Sequence, residues 1–223
     1  MIKHILFSCI SILYLFGVEA KIEQNNTPNM NDPKAKEVLD KSSEAYKQNT
    51  SIYSKFTQSI EIPGGKVNHI NGEIYIKANK YKIKFSDQEI YCNEKSVWTY
   101  LKDVNEVQIN DYEPDPSDMT PFNMFNIYQN DFYYIKINDE NVLDKPCSVI
   151  DLSPKDKSRS YFKVRVWINK QTNLLCRIKI FDKNGYRYTY TINSINIHSK
   201  IDDSEFNFDK NKFPGVHIED LRF

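Results

Sequence analysis

In Lys80-Tyr81-Lys82-Ile83-Lys84-Phe85, charge and bulk alternate at every step. Only an extended strand, whose successive side chains leave opposite faces, sorts that pattern into one apolar and one charged side. The three lysines then imply a solvated outer face. The same period of two organises residues 52–62, with Ile52, Ser54, Phe56, Gln58, Ile60 and Ile62 in one set and Tyr53, Lys55, Thr57, Ser59 and Glu61 in the other. Pro63-Gly64-Gly65 then turns the chain. It returns at 72–77, and further strands are expected around 88–92, 96–102, 105–110, 131–137, 147–153, 161–169, 174–182 and 185–195. No helical pattern alternates with these segments, so the expected sheet is an antiparallel meander rather than a doubly wound one. Its aromatic wealth, 15 Tyr, 13 Phe and 2 Trp against 6 Gly, suits strands and not glycine-rich phosphate loops.

Two segments break the period. Asp32-Pro33 supplies a helix N-cap and first-turn residue, and Ala35, Val38, Leu39, Ser42, Ala45 and Tyr46 recur at helical spacing. An amphipathic helix is expected over 33–48, its apolar face against the sheet. Later, Thr120-Pro121 opens a short apolar helix that presents Phe122, Met124, Phe125 and Tyr128. Placed between strands, such a segment can cap one mouth of a curved sheet.

The first twenty residues have the layout of a secretory signal: Lys3 and His4, an apolar run from Ile5 to Val18, and Val18-Glu19-Ala20 at the cleavage position. The run is too short for a comfortable membrane span of about 20 residues. Residues 21–31 read as a polar linker, and 32–223 as one domain. Cleavage leaves Cys92, Cys147 and Cys176, an odd count that cannot form a closed disulfide framework. Cys147 and Cys176 can be paired on paper, or all three can be small apolar strand residues.

Chemistry is scarce. His69, His198 and His217 stand apart from one another, with no His-Glu-x-x-His helix, no Cys-x-x-Cys, no Gly-x-Ser-x-Gly elbow and no phosphate loop. Metal, redox, esterase and nucleotide readings therefore lack their motifs, and no cofactor is expected. A net charge of 0 gives no global field for nucleic acid. An apolar binding module, not an enzyme, is the expectation, with an ordinary filled β-core as the equally patterned alternative.

Several residues in order carry a resemblance: Phe56-Thr57-Gln58, Gly72-x-Ile74-x-Ile76, Asn79-x-Tyr81, Lys95-x-Val97-Trp98 with Tyr100, Thr120-Pro121-Phe122, and Phe206-x-Phe208 followed by Pro214-Gly215-Val216 and Asp220. Over about residues 32–223 the chain resembles the outer-membrane lipoprotein carrier proteins, the LolA family. Trp98 to Val107 and Phe162 to Trp167 look most like the form found in Bacteroidetes-type bacteria. The resemblance implies a mainly β fold, an unclosed antiparallel barrel of about ten or eleven strands with a helical lid. It implies a monomeric periplasmic carrier that takes acylated lipoproteins from an inner-membrane releasing ABC transporter to the outer membrane, the acceptor there being unidentified. A periplasmic carrier of another lipid or hydrophobic ligand is the alternative.

Carried over residue by residue, the resemblance places Phe56, Ile60, Ile74, Ile76, Tyr81, Ile83, Phe85, Trp98 and Tyr100 at the lipid cavity, and Val38, Leu39, Phe122, Met124 and Phe125 in the lid. Family members have an arginine just before the Asn-x-aromatic strand, bonded to the lid. Here that neighbourhood reads Lys77-Ala78-Asn79.

Overall fold

The computed structural model describes residues 31–47, 51–113, 128–197 and 199–222. The expected leader, most of the expected linker and the segment with Phe122, Met124 and Phe125 lie outside them. Helix α1 (Pro33–Lys47) forms as the spacing requires. The Asp32 carboxylate accepts the Lys34 N–H at 2.9 Å and the Lys136 N–H at 3.1 Å, so it caps the helix and ties it to the sheet. Those bonds hold its carboxyl below the usual value.

Eleven strands follow in sequence: β1 (Ser51–Glu61), β2 (Val67–Lys77), β3 (Lys80–Lys84), β4 (Gln88–Cys92), β5 (Ser96–Leu101), β6 (Glu106–Asp111), then the single turn α2 (Tyr128–Asp131), β7 (Phe132–Val142), β8 (Lys145–Pro154), β9 (Tyr161–Asn169), β10 (Leu175–Asp182) and β11 (Arg187–Asn196). β2 starts five residues before the alternation becomes legible, and β7 runs to Val142 because the long β7–β8 pair continues past a bulge at Lys136/Asn138.

A twelfth strand, β12 (His217–Asp220), closes the chain, and the order across the sheet is β12-β6-β5-β4-β3-β2-β1-β11-β10-β9-β8-β7. Two meanders, β1 to β6 and β7 to β11, are thus stitched by the long-range β1–β11 pair, and the ends, β12 and β7, do not meet. One strand departs from the expected antiparallel sheet. β12 runs parallel to β6, brought there by a tail with two 3-10 turns, Asp203–Phe206 and Lys210–Lys212.

The register assigns faces. On the inner face, where α1 lies, Ala35 and Leu39 pack with Tyr128, Phe132, Tyr134, Ile150, Leu152, Val164, Val166, Ile168, Leu175 and Ile178, all buried. This filled core sits under α1 on β7 to β10. A cavity of about 20 Å³ remains between Leu39, Ser42, Tyr128 and the sheet, room for one water and no acyl chain.

Cys92, Cys147 and Cys176 form no disulfide in this structure. Cys147 and Cys176 share a small cluster with Val142, Val149 and Trp167, but β9 lies between their strands. Two strand spacings put their backbones roughly 9.5 Å apart, outside the about 4.4–6.8 Å that a disulfide spans. Burial and the Cys176 thiol push Cys147 up to about 12, so it is unreactive as well.

Candidate functional site

Register, not strand pattern alone, decides which apolar residues meet. Across β1 and β2, Ile52 faces Ile76, Ser54 faces Ile74 and Phe56 faces Gly72; Ile74 and Ile76 then face Ile83 and Tyr81 on β3. Phe85 closes onto Phe56 edge-on at 5.6 Å between ring centres, and Tyr190 of β11 approaches Phe56 at 6.0 Å. Phe56, Ile60, Ile74, Ile76, Tyr81, Ile83 and Phe85 therefore share the inner face, as one strip beside the α1-covered core.

Phe56 alone of these seven is buried. The others keep part of their surface exposed, as do Ile70, Ile90, Tyr188 and Tyr190 around them. Where α1 fills one half of the inner face, the β1–β4 half presents an apolar surface that is partly exposed. Burial in this apolar setting pushes the phenols of Tyr188 and Tyr190 up, and Tyr190 accepts a 2.8 Å bond from the Gln58 amide. Toward β6 the strip turns polar, with Thr99 and Gln108 paired and Gln108 donating to Glu106 at 3.0 Å.

Trp98 and Tyr100 are not part of that strip. Tyr81 pairs with Cys92 and Cys92 with Val97, so Val97 and Thr99 face inward while Trp98 and Tyr100 face out. The tail covers Tyr100 there, which lies 5.7 Å from Phe208 and 4.4 Å from Phe213; these two stack on each other at 4.7 Å. Tyr91 joins them.

The expected solvated lysine face is corrected too. Lys82 is buried, its ammonium 4.9 Å from the Tyr91 ring centre and 2.8 Å from Glu205, and Lys80 binds Asp203 at 2.7 Å. The tail supplies the carboxylates, and a sequence window around the lysines does not contain them. Lys77, beside the place of the family arginine, also turns outward, bonding Asp203 and the Ile201 carbonyl. It makes no bond toward α1 in this arrangement.

Among the described residues, no group of three or more His, Cys, Asp and Glu is placed to hold a metal. A Ser59–His69 contact of 2.8 Å exists, but on the exposed outer face, away from the cavity under α1.

The model of the outer membrane lipoprotein carrier protein LolA matches residues 47–209, most of the sheet and the start of the tail. The chain belongs to the LolA family. No relative is found among curated proteins. Among solved structures, the LolA-type fold is shared with an uncharacterized conserved protein from Thermus thermophilus, at 11% identity and a TM-score of 0.57, over 85% of this chain and 99% of that one. Two others match less closely in shape. The lipoprotein LppX of Mycobacterium tuberculosis has 15% identity and a TM-score of 0.49, covering 77% and 100% of the two chains. A LolA superfamily protein from Nitrosomonas europaea has 14% identity and a TM-score of 0.41, covering 78% and 98%. Membership of the LolA family implies a carrier of a hydrophobic ligand.

Proposed function

We propose that the protein carries acylated lipoproteins across the periplasm, receiving them from an inner-membrane releasing transporter and delivering them to the outer membrane. The observation that supports this most is the inner strip from Ile60 to Phe85, apolar yet left partly exposed beside a core that is filled. Each acyl methylene buried on it is worth about 0.8 kcal/mol, so a chain is held without directional bonds and released without chemistry. An extracytoplasmic location through a cleaved signal at residues 1–20 goes with this role.

The chain lies over Ile60, Ile74, Ile76, Tyr81, Ile83 and Phe85, with Phe56 as the floor. α1 is the side wall, seated by Val38 and Leu39, and Phe122, Met124 and Phe125 belong to the cover.

Mass spectrometry under mild conditions on protein taken from its native envelope tests the cargo. Triacylated lipoprotein bound to wild type and absent from Ile83→Asp is expected. Free phospholipid in its place makes the protein a carrier of another lipid, and an empty protein removes the carrier role.

A further inference from the structure

One end of the sheet concentrates charge that the chain as a whole does not have. Three connections meet there: β1–β2, β8–β9 and β10–β11. Gly185 packs so close to Pro63 that a β-carbon on it would stand 2.7 Å from the proline Cγ. The Lys183 N–H donates to the Ser160 carbonyl at 2.8 Å, and the Lys183 ammonium to the Lys157 carbonyl. The three turns therefore form one rim.

Residues 61–67, 154–163 and 181–187 hold seven cations, Lys66, Lys155, Lys157, Arg159, Lys163, Lys183 and Arg187, against Glu61, Asp156 and Asp182, in a chain of net charge 0. The carboxylates are engaged locally, and two of the cations are too, Arg159 pairing with Asp131 at 3.8 Å and Lys163 with Asp151 at 3.6 Å. Glu61 pairs with Lys179 at 2.6 Å, Asp156 accepts from the Ser158 N–H and hydroxyl, and Asp182 from the Asn184 N–H. Lys157 and Lys183 direct their ammoniums to backbone carbonyls.

Within this positive rim stand three apolar side chains that remain well exposed: Ile62 at 38%, Val67 at 48% and Phe162 at 45%. Phe162 is held in place by Phe181 at 6.0 Å and by the Arg187 guanidinium at 5.5 Å. A rigid aromatic and two aliphatic side chains ringed by lysines can enter a headgroup layer while the ammoniums meet phosphates. The inner strip reaches the same end, since Ile60 lies one residue from Glu61 and pairs with Tyr188.

We propose that this rim docks on an anionic phospholipid surface and sets the end of the strip against the bilayer. An acidic polypeptide would match the charge alone. The exposed Phe162, Ile62 and Val67 favour lipid, because they gain from burial only in a partner with an apolar layer beneath its charges. Docking concerns the rim and not the cargo, so it stands or falls separately from lipoprotein binding.

The test is sedimentation of the purified protein with vesicles of phosphatidylcholine alone or mixed in equal parts with phosphatidylglycerol. Binding is expected only to the mixed vesicles. Raising salt from about 0.1 M to about 1 M shortens the screening length from about 10 to about 3 Å and should release it. Lys66→Gln, Lys157→Gln and Lys183→Gln combined should weaken it on the order of a hundredfold, at about fivefold per lysine. Phe162→Ser should weaken it too, and in Phe162→Trp brominated lipid should quench the added emission. Circular dichroism and melting of each variant must match wild type, and the three lysine changes, all exposed, carry the test if Phe162→Ser alters the fold. Equal binding to neutral vesicles, no binding to mixed ones, or an unaffected lysine triple overturns the proposal. Binding to polyglutamate without binding to vesicles overturns it in favour of an acidic protein.

Discussion

The ring of Phe56 lies against the backbone of Gly72, so that a β-carbon at Gly72 would stand 2.4 Å from its Cζ. The two residues oppose each other across β1 and β2, and the missing side chain is what lets the aromatic floor of the strip lie flat. Gly72→Ala must push the ring toward Phe85 and Tyr190, which already touch it. A loss of about 1–3 kcal/mol is expected from overpacking. Chemical denaturation measures it, and an unchanged midpoint would show that the ring has room to move.

Ile83→Asp and Lys82→Asp are expected to fail in different ways. Ile83 is partly exposed on the inner strip, so its carboxylate stays hydrated, the fold survives and acyl binding drops. Lys82 is buried between Tyr91 and Glu205, and a carboxylate there meets Glu205 as a like charge. That change should cost about 3 kcal/mol of stability. Melting and lipid binding measured on both variants separate the two; a stable Lys82→Asp that also loses lipid would place the binding surface on the outer face.

The contrast between these neighbours shows what the sequence could and could not reveal. Alternation located nearly every strand, and α1 followed from Asp32-Pro33 and its apolar spacing. Within a strand it also grouped Tyr81, Ile83 and Phe85 correctly. It could not carry that assignment from β3 to β5, because both faces of these strands bear apolar or aromatic side chains. Ile90 and Cys92 point in, Tyr91 and Trp98 out, and all four are apolar or aromatic. Lys82 reads as solvated because its partner Glu205 is 123 residues away. The parallel pairing of the four-residue β12 is equally invisible locally.

Acid should loosen the tail before the sheet. Lys77 and Lys80 hold Asp203 down to about 2 from its ordinary 3.8, and Lys82 lowers Glu205 from its ordinary 4.5. A depressed carboxyl stabilises the fold above its unfolded value and loses that contribution as pH falls through its folded value. The tail is therefore fully anchored above about pH 5 and released progressively toward pH 2. Amide exchange in 202–213 should rise over that window ahead of β1 and β11. Simultaneous opening of tail and sheet would mean that Phe206 and Phe208, not the ion pairs, hold it.

Alkylation in denaturant without reductant should modify all three of Cys92, Cys147 and Cys176, even in protein exported through an oxidising compartment. Cys147 and Cys176 stand on β8 and β10 with β9 between those strands, and burial together with the neighbouring Cys176 thiol holds Cys147 as the unreactive thiol up to about 12. In the folded state none should react at an appreciable rate, since all three are buried. A mass loss of two hydrogens on export would contradict the placement of β9 between β8 and β10.

The place where an acyl chain lies can be read from two sets of signals. Lifting α1 would expose Ala35 and Leu39 and break the 3.1 Å bond from the Leu175 N–H to the Tyr46 hydroxyl and the 2.6 Å bond from Tyr128 to Asp40, all to open a cavity that now holds about 20 Å³. The strip beside it is already partly exposed with α1 in place. Saturation with an acylated peptide should therefore shift the methyl resonances of Ile60, Ile74, Ile76 and Ile83 and leave amide exchange in α1 unchanged. Faster exchange in α1 with those four methyls unmoved would put the chain beneath the helix, with Val38 and Leu39 as the surface it displaces.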